Sequence, residues 1–525
     1  MHFLSKKNMM GNEFRMIAKT FNGLENVLAE ELVKLGADDV QIDRRAVSFV
    51  GDKALMYRAN LALRTAVRVL KPILTFTAKN ADEVYDQVKT IEWNKYLSAQ
   101  QTFAIDATVY SEDFRNSQFV KYRVKDAIAD WFMEHENRRP SIRIDSPDIQ
   151  LNVHISHDQC TVSLDSSGES LHKRGYRDSQ TEAPINEALA AGLLLLAGWD
   201  GKTDFVDPMC GSGTFLIEAA LIALNIPPCI YRRSFAFEKW PDFDAELFDT
   251  IYNDDSGERT FEHRIVGCDL SARALKIAEM NIKAAGLAKY ITLEQRDVAN
   301  WQPQSEPCLL VTNPPYGERL VDDDLPQLYE NIGKTLKRCF AGSTAWVLSS
   351  NNECLQRIGL HASEKKEVLN GALECQFLKY ELFHGRRNQF LADRGAKKDG
   401  ESHENRHEKP RKSEKSGEKS EKFDRRPRKS HRDDDERPRK FADRKSGEKR
   451  FGEKKFGDKK FGDKKFGDRK FGSKKFDDRR EDRKFGDKPH SAHSDDRRPR
   501  HFDDDRHEFK GGKRPFNDNR HDRRK

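Results

Sequence analysis

The chain has 525 residues, with 94 Lys+Arg against 87 Asp+Glu and a formal net charge of +7. The charge is unevenly held: residues 391–525 carry 48 Lys+Arg, 32 Asp+Glu and, after Leu391, no Leu, Ile, Val or Met, which leaves a net of −9 for residues 1–390. A transmembrane helix is excluded, because no run approaches the about 18 apolar residues that one requires and Leu189–Trp199 is too short.

Met1–Arg15 is basic but has no apolar stretch, so a secretory signal is not expected. The eight cysteines form no Cys-x-x-Cys pair, which points to free buried thiols in a reducing, cytoplasmic setting. In chain order, Phe14–Thr20 predicts a short strand. Gly23–Gly36 predicts a helix with Leu24, Val27, Leu28, Leu32 and Leu35 at helical spacing. Val40–Val50 reads as a strand or hairpin and Val67–Phe76 as a strand. Ala81–Ile91 reads as a helix, Phe103–Tyr110 as a half-buried strand and Phe119–His135 as a long helix. Ile149–Ile155 with Cys160–Leu164 reads as a hairpin. This order predicts a mixed α+β region with small sheets.

From residue 200 onward the pattern changes. Thr203–Val206, Ile265–Cys268, Ile291–Leu293, Cys308–Thr312 and Thr344–Leu348 are short apolar strands. They alternate with helices over Thr214–Leu224, from the cap Ser271 to Gly286, and over Leu325–Phe340. Continuous apolar strands alternating with helices predict an α/β fold, a doubly wound, mostly parallel sheet. Ligands of such sheets bind outside the carboxyl ends of the strands, where the polar motifs of this region lie. Beyond the sheet, Phe-Gly-Asp/Glu-Lys-Lys repeats every five residues from Phe451 to Lys475. That period suits neither helix nor sheet, so the tail is expected to be disordered.

The motif Asp207-Pro-Met-Cys-Gly211-Ser-Gly213-Thr214 ends a strand in an acid, turns on two glycines and starts a helix. Glycines admit close approach and positive φ, and the helix start offers free N–H groups to a carboxylate. Asp269 ends the next strand, where a carboxylate can bind both hydroxyls of a ribose or cap the following helix. Asp297 follows the third strand and can accept from an adenine amine or cap a turn. Asn313-Pro314-Pro315-Tyr316-Gly317 follows the fourth. Asn313 and the Pro314 carbonyl offer two acceptors for the two hydrogens of a planar amine, two prolines stiffen the turn, and Tyr316 offers a stacking face. Within Pro227–Phe248, Arg232, Arg233, Phe235, Phe237 and Trp240 suit RNA contact or a packed insertion.

These residues resemble the class I S-adenosylmethionine-dependent methyltransferases with an Asn-Pro-Pro-Tyr motif. The likeness extends to Leu171–Arg177, Ala183–Glu187, Asp207–Ala220 and Asn313–Leu320, and is to the RlmL-type large-subunit ribosomal RNA guanine-N2 methyltransferases. It implies a ferredoxin-like segment over residues 1–60, a THUMP RNA-binding domain over 61–168, a Rossmann-like catalytic domain over 169–390 and the tail over 391–525. It implies S-adenosylmethionine as cofactor, held by Asp207, Gly211, Gly213 and Thr214 along the methionine part, Asp269 at the ribose and Asp297 at the adenine. Asn186 and Glu187 line the same crevice, or Glu187 caps a helix. Asn313, Pro314, Pro315 and Tyr316 would form the catalytic turn, with no metal required. The implied partner is ribosomal RNA, 23S or its large-subunit precursor, with no membrane. Some relatives carry a second methyltransferase domain; here the tail stands in its place, so one methylation is expected. A transfer-RNA guanine-N2 methyltransferase, a DNA amine methyltransferase and a non-catalytic RNA-binding assembly factor remain as rivals.

Overall fold

The computed structural model describes residues 13–385, apart from 115, 178, 180–183, 303–305 and 318–323. The expected disordered tail therefore lies outside the described residues, as do Ala183 and Glu318–Leu320 of the motifs.

Eight strands form the first sheet: β1 (Phe14–Lys19), β2 (Asp38–Asp43), β3 (Ala46–Gly51), β4 (Arg68–Thr77), β5 (Thr102–Tyr110), β6 (Ser141–Ile142), β7 (Ile149–Ser156) and β8 (Gln159–Asp165). Their order is β2-β3-β1-β4-β8-β7-β5-β6, so one continuous sheet replaces the small sheets expected. The join is β4. Its first residues pair with β1 (Ile17↔Leu70), and Leu70–Thr77 run along β8. Pro72 lies on β4 where the pairing with β8 shifts register, a place where its missing N–H costs no ladder bond. Helices over Glu25–Lys34, Ala81–Lys89 and Ser117–Glu136 bury Leu28, Leu32, Val84, Val88, Val124 and Ile128 against this sheet.

The second sheet holds β9 (Asp204–Asp207), β10 (Ile265–Asp269), β11 (Ile291–Gln295), β12 (Cys308–Thr312), β13 (Thr344–Ser349), β14 (Glu364–Asn370) and β15 (Leu373–Glu381). The order is β11-β10-β9-β12-β13-β15-β14; the first five strands are parallel, and β15 and β14 close the edge antiparallel. Neighbouring strand residues alternate between two apolar clusters. Phe205, Leu309, Val311, Trp346 and Leu348 face one, and Val206, Leu310, Ala345 and Val347 the other. Both faces are thus covered, which is why these strands read as unbroken apolar runs. The chain order reverses between β9 and β12, and such a switch point opens a crevice at the strands' carboxyl ends.

The insertion over residues 227–252 packs backward onto the first sheet's core. Cys229, Phe235, Phe237, Trp240 and Phe248 belong to that core, and Phe237 stacks on Tyr57 at 4.5 Å. Of the two readings of this segment, the packed insertion therefore holds for Phe235, Phe237 and Trp240, whose rings are buried as packing rather than presented to RNA. Arg232 is buried too, donating to the carbonyls of Ser170, Lys173, Ser167 and Glu169, whereas Arg233 is exposed.

Candidate active site

Four strand ends converge at the crevice. Asp207 is the last residue of β9, Asp269 the last of β10, Asp297 lies two residues past β11, and Asn313 directly follows β12. The glycine turn between Asp207 and the helix over Thr214–Ala223 needs left-handed backbone, with φ of +54° at Gly211 and +80° at Gly213. A Cβ on Gly213 would also sit 3.2 Å from the Ala278 side chain. Asp269 braces this turn: its carboxylate accepts from the Gly211 N–H at 3.0 Å and the Ser271 N–H at 2.8 Å. Asp297 accepts from the Ala299 N–H at 2.8 Å and starts the short turn Val298–Asn300.

Asp207 is 1% exposed. Its carboxylate accepts from the Thr312 hydroxyl at 2.8 Å and the Met209 N–H at 3.2 Å. Burial, with the nearby Asp269 charge in the same direction, pushes its pKa up to about 7 against those two hydrogen bonds. The Thr312 bond links the acid of β9 to the residue just before Asn313, so the glycine turn and the Asn-Pro-Pro-Tyr turn share one anchor.

That second turn is braced from behind. The Tyr329 hydroxyl donates to the Pro315 carbonyl at 3.1 Å and lies 2.8 Å from the Ser349 hydroxyl; Asn351 donates to the Tyr316 carbonyl at 3.2 Å. The Pro314 carbonyl, beside Asn313, takes no hydrogen bond from the described residues. The Tyr316 hydroxyl donates to Asn313 Oδ1. Burial holds the Tyr316 pKa well above its ordinary value, so it stays a donor.

Asn186 and Glu187 sit at the start of the helix over Glu187–Leu196. Asn186 caps it, accepting from the Ala188 and Leu189 N–H groups. Glu187 pairs with Arg177 at 2.7 Å, and Arg177 also donates to the Thr214 hydroxyl at 2.9 Å. Glu187 thus reaches the glycine turn through Arg177 and Thr214, whereas the Asn186 side chain is engaged as the helix cap. One Arg177 guanidinium nitrogen is buried without a partner.

Residues singled out only as parts of motifs prove to be one network. Arg174 and Tyr176 both donate to Glu218 on the helix over Thr214–Ala223, and Arg174 also reaches the Arg64 carbonyl of the first sheet's side. Arg174 and Glu218 side chains are fully buried. Burial opposes the guanidinium's charge, and the Glu218 carboxylate offsets this and holds it ionised. Thr312, Tyr329, Ser349 and Asn351 were not signalled by any sequence pattern. Only their place one shell behind the turns marks them.

The residues fit a sulfonium nucleoside that carries an amino acid. The glycine turn is open to close approach, Asp269 is available to hydroxyls, Arg177 has a spare donor, and Asp207 is a buried acid. Among the described residues no group of three or more His, Cys, Asp or Glu side chains could hold a metal ion.

Comparison with known proteins agrees. Three family models match consecutive parts of the chain: the RlmL ferredoxin-like domain over residues 15–70, the THUMP domain over 78–165 and the RMKL-like methyltransferase domain over 174–379. A protein of Synechocystis sp. named "Putative RNA methyltransferase slr0064" is 41% identical over 369 residues, covering 70% of this chain and 96% of that one. The "Ribosomal RNA large subunit methyltransferase K/L" of Syntrophotalea carbinolica is 39% identical over 386 residues, 71% of this chain and 54% of that one. This chain spans about half the length of the relatives with that name. A solved structure described as "SMU.472, a putative methyltransferase complexed with SAH" superposes with a TM-score of 0.64 at 32% identity, over 72% of this chain and all of that one. The chain belongs to the RMKL-like methyltransferase family, with RlmL ferredoxin-like and THUMP domains ahead of its catalytic domain.

Proposed function

We propose that the protein transfers a methyl group from S-adenosylmethionine to the exocyclic N2 amine of a guanine in 23S ribosomal RNA. The observation that carries this reading is the pair of acceptors, Asn313 Oδ1 and the Pro314 carbonyl, on a braced turn one residue from Thr312 and its bond to Asp207. The cofactor supplies an electrophilic methyl group. Asp207, Gly211, Gly213 and Thr214, with Arg177 behind them, would hold its methionine part, Asp269 its ribose and Asp297 its adenine.

The chain's own contribution is positioning and charge. Two converging acceptors take both hydrogens of a planar amine and turn its lone pair toward the methyl group. As the nitrogen attacks, the N–C bond would form while the methyl–sulfur bond breaks to leave a neutral thioether; the nitrogen gains positive charge, the two N–H bonds to Asn313 and Pro314 strengthen, and one of the two protons then leaves to solvent. The contacts therefore act most at the transition state. A base must leave its stack to reach this turn, and Tyr316 offers the face that replaces the lost stacking. The THUMP domain and the relatives named for large-subunit ribosomal RNA support RNA as substrate; the flanking motifs at Leu171–Arg177 and Ala183–Glu187, rather than the Asn313–Tyr316 turn itself, support guanine N2. The test is transfer of labelled methyl groups to protein-free large-subunit ribosomal RNA, with transfer RNA and duplex DNA as competitors. Label in the ribosomal RNA is expected; label confined to transfer RNA or DNA, or none at all, contradicts the reading.

A further inference from the structure

We propose that the cleft between the THUMP side and the catalytic domain is the groove in which the RNA strand flanking the target base lies. This rests on the proposed RNA substrate and goes beyond it by naming the surface.

The cleft has a volume of about 1300 Å³. That exceeds the about 300–1,000 Å³ of small-molecule sites and suits a polymer. Its walls come from the β6–β7 connection (Ile144–Pro147), the segment 167–177, the insertion at 231–236 and the β14–β15 turn at Asn370–Gly371. Seven Arg and Lys side chains line it against three acids, Asp145, Glu169 and Glu187. Most of these cations are tied to the protein, as Arg68 is to Asp165, Arg177 to Glu187 and Lys239 to Asp148. Arg233 is not: it is exposed and pairs with no acid among the described residues. The same holds for Arg138, Arg139 and Arg143 on the loop that leads into the rim. Ile144, 83% exposed, stands on that rim as an apolar surface for a base.

The catalytic end is marked by Asn370. It lines the cleft, and its side chain interacts with the Tyr316 hydroxyl. A strand following the arginines into the cleft therefore arrives at the turn that receives the target amine. Unpaired arginines on a path with an apolar rim are the chemistry of single-stranded nucleic acid, where phosphates meet cations and bases pack on side chains. Arg138, Arg139, Arg143 and Arg233 thus place unpaired positive charge along this path in a folded part that is net negative.

The experiment is ultraviolet crosslinking of the full chain to protein-free large-subunit ribosomal RNA, with crosslinked peptides mapped by mass spectrometry. It is paired with the Arg143→Glu/Arg233→Glu variant. Crosslinks in residues 138–147 and 231–236 are expected. The variant should raise the Michaelis constant for RNA by about tenfold or more at low salt, because phosphate contacts set affinity there. Its S-adenosylmethionine affinity should not move. A Lys34→Ala/Lys365→Ala control outside the cleft should match wild type. Crosslinks confined to other described faces, or a cleft variant that behaves like the control, overturn the groove. Failure of the wild type to methylate any RNA would instead overturn the proposed function, since crosslinks in the cleft could still form.

Discussion

The Tyr316 hydroxyl donates a hydrogen bond to Asn313 Oδ1, the oxygen assigned to the target amine. One acceptor of the proposed amine clamp is thus filled by the neighbouring side chain in this conformation. Entry of the base must exchange that bond for one from the amine, with the ring of Tyr316, partly buried against the catalytic core, as the proposed stacking face.

This exchange separates two substitutions at one position. Tyr316→Phe removes the competing donor and keeps the ring. A neutral hydrogen bond contributes about 1 kcal/mol net, so the Michaelis constant for RNA should fall up to about fivefold with turnover little changed. Tyr316→Ala loses the stacking face, worth about 1–3 kcal/mol, and should raise the constant instead. Steady-state kinetics of both variants check this; a loss in Tyr316→Phe as large as in Tyr316→Ala would show that the hydroxyl is needed.

Asp269, proposed to hold the ribose, accepts from the Gly211 and Ser271 N–H groups. Asp269→Asn retains one acceptor for the turn but loses the charge and one of the two backbone bonds. Affinity for S-adenosylmethionine should fall by about 1–3 kcal/mol, the worth of a charge-assisted bond, with a melting temperature lowered by a few degrees. Calorimetry of cofactor binding reads the first quantity and a thermal melt the second. Unchanged affinity removes Asp269 from the cofactor site.

The buried acid Asp207 predicts a pH dependence of stability. Its pKa in the fold is raised from 3.8 to about 7. The folded state thus holds this proton more tightly than the unfolded chain does. The resulting stabilisation is complete below about pH 4 and is lost as pH rises through about 7, by about 4 kcal/mol in all. Asp207→Asn, which cannot ionise, should lack this component. The stability difference between the two proteins, followed from pH 5 to pH 8.5 without cofactor, should change in favour of the variant. Parallel curves would mean that Asp207 is already ionised throughout.

The buried pair Arg174–Glu218 ties the catalytic domain to the Arg64 carbonyl. Removing either partner strands the other charge in the interior, at a cost of about 3–5 kcal/mol. Arg174→Met and Glu218→Met should each destabilise strongly, and the double variant should be more stable than the sum of the two losses implies. Denaturant unfolding of all four proteins measures this coupling; simple additivity would contradict it.

The sequence exposes the parts of the fold whose pattern is local. The strands β9, β10, β12 and β13 are buried on both faces and read as apolar runs, and the acids and Asn313 fall at or just past the carboxyl ends of β9 to β12 as the spacing predicts. The edge hairpin β14–β15 was not legible. Glu364-Lys-Lys-Glu367 shows no apolar alternation, and its place at the sheet's edge is set by its antiparallel pairing with β15. The helix over Lys53–Ala62 was also hidden, because it buries residues on all sides, including Tyr57 and Asn60, and so lacks a single apolar face. Phe235 and Phe237 illustrate the converse. Aromatic residues among arginines look the same in sequence whether they face RNA or a core, and only the long-range contact with Tyr57 decides it. The site candidates were visible because chemistry dictated their residue types. Their supports, Thr312, Tyr329 and Asn351, are ordinary residues given a role only by three-dimensional neighbours.

The central claim is methyl transfer to a guanine amine by the Asn313–Pro314 acceptor pair. Its most direct test is mass-spectrometric analysis of nucleosides from large-subunit ribosomal RNA treated with labelled S-adenosylmethionine, using wild-type protein and Asn313→Ala in parallel. The account predicts labelled N2-methylguanosine with the wild type. With the variant it predicts a loss of turnover by at least about two orders of magnitude at unchanged cofactor affinity, because the lost contact acts at the transition state. Label on an adenine or cytosine amine, or near-normal turnover by Asn313→Ala, would contradict it.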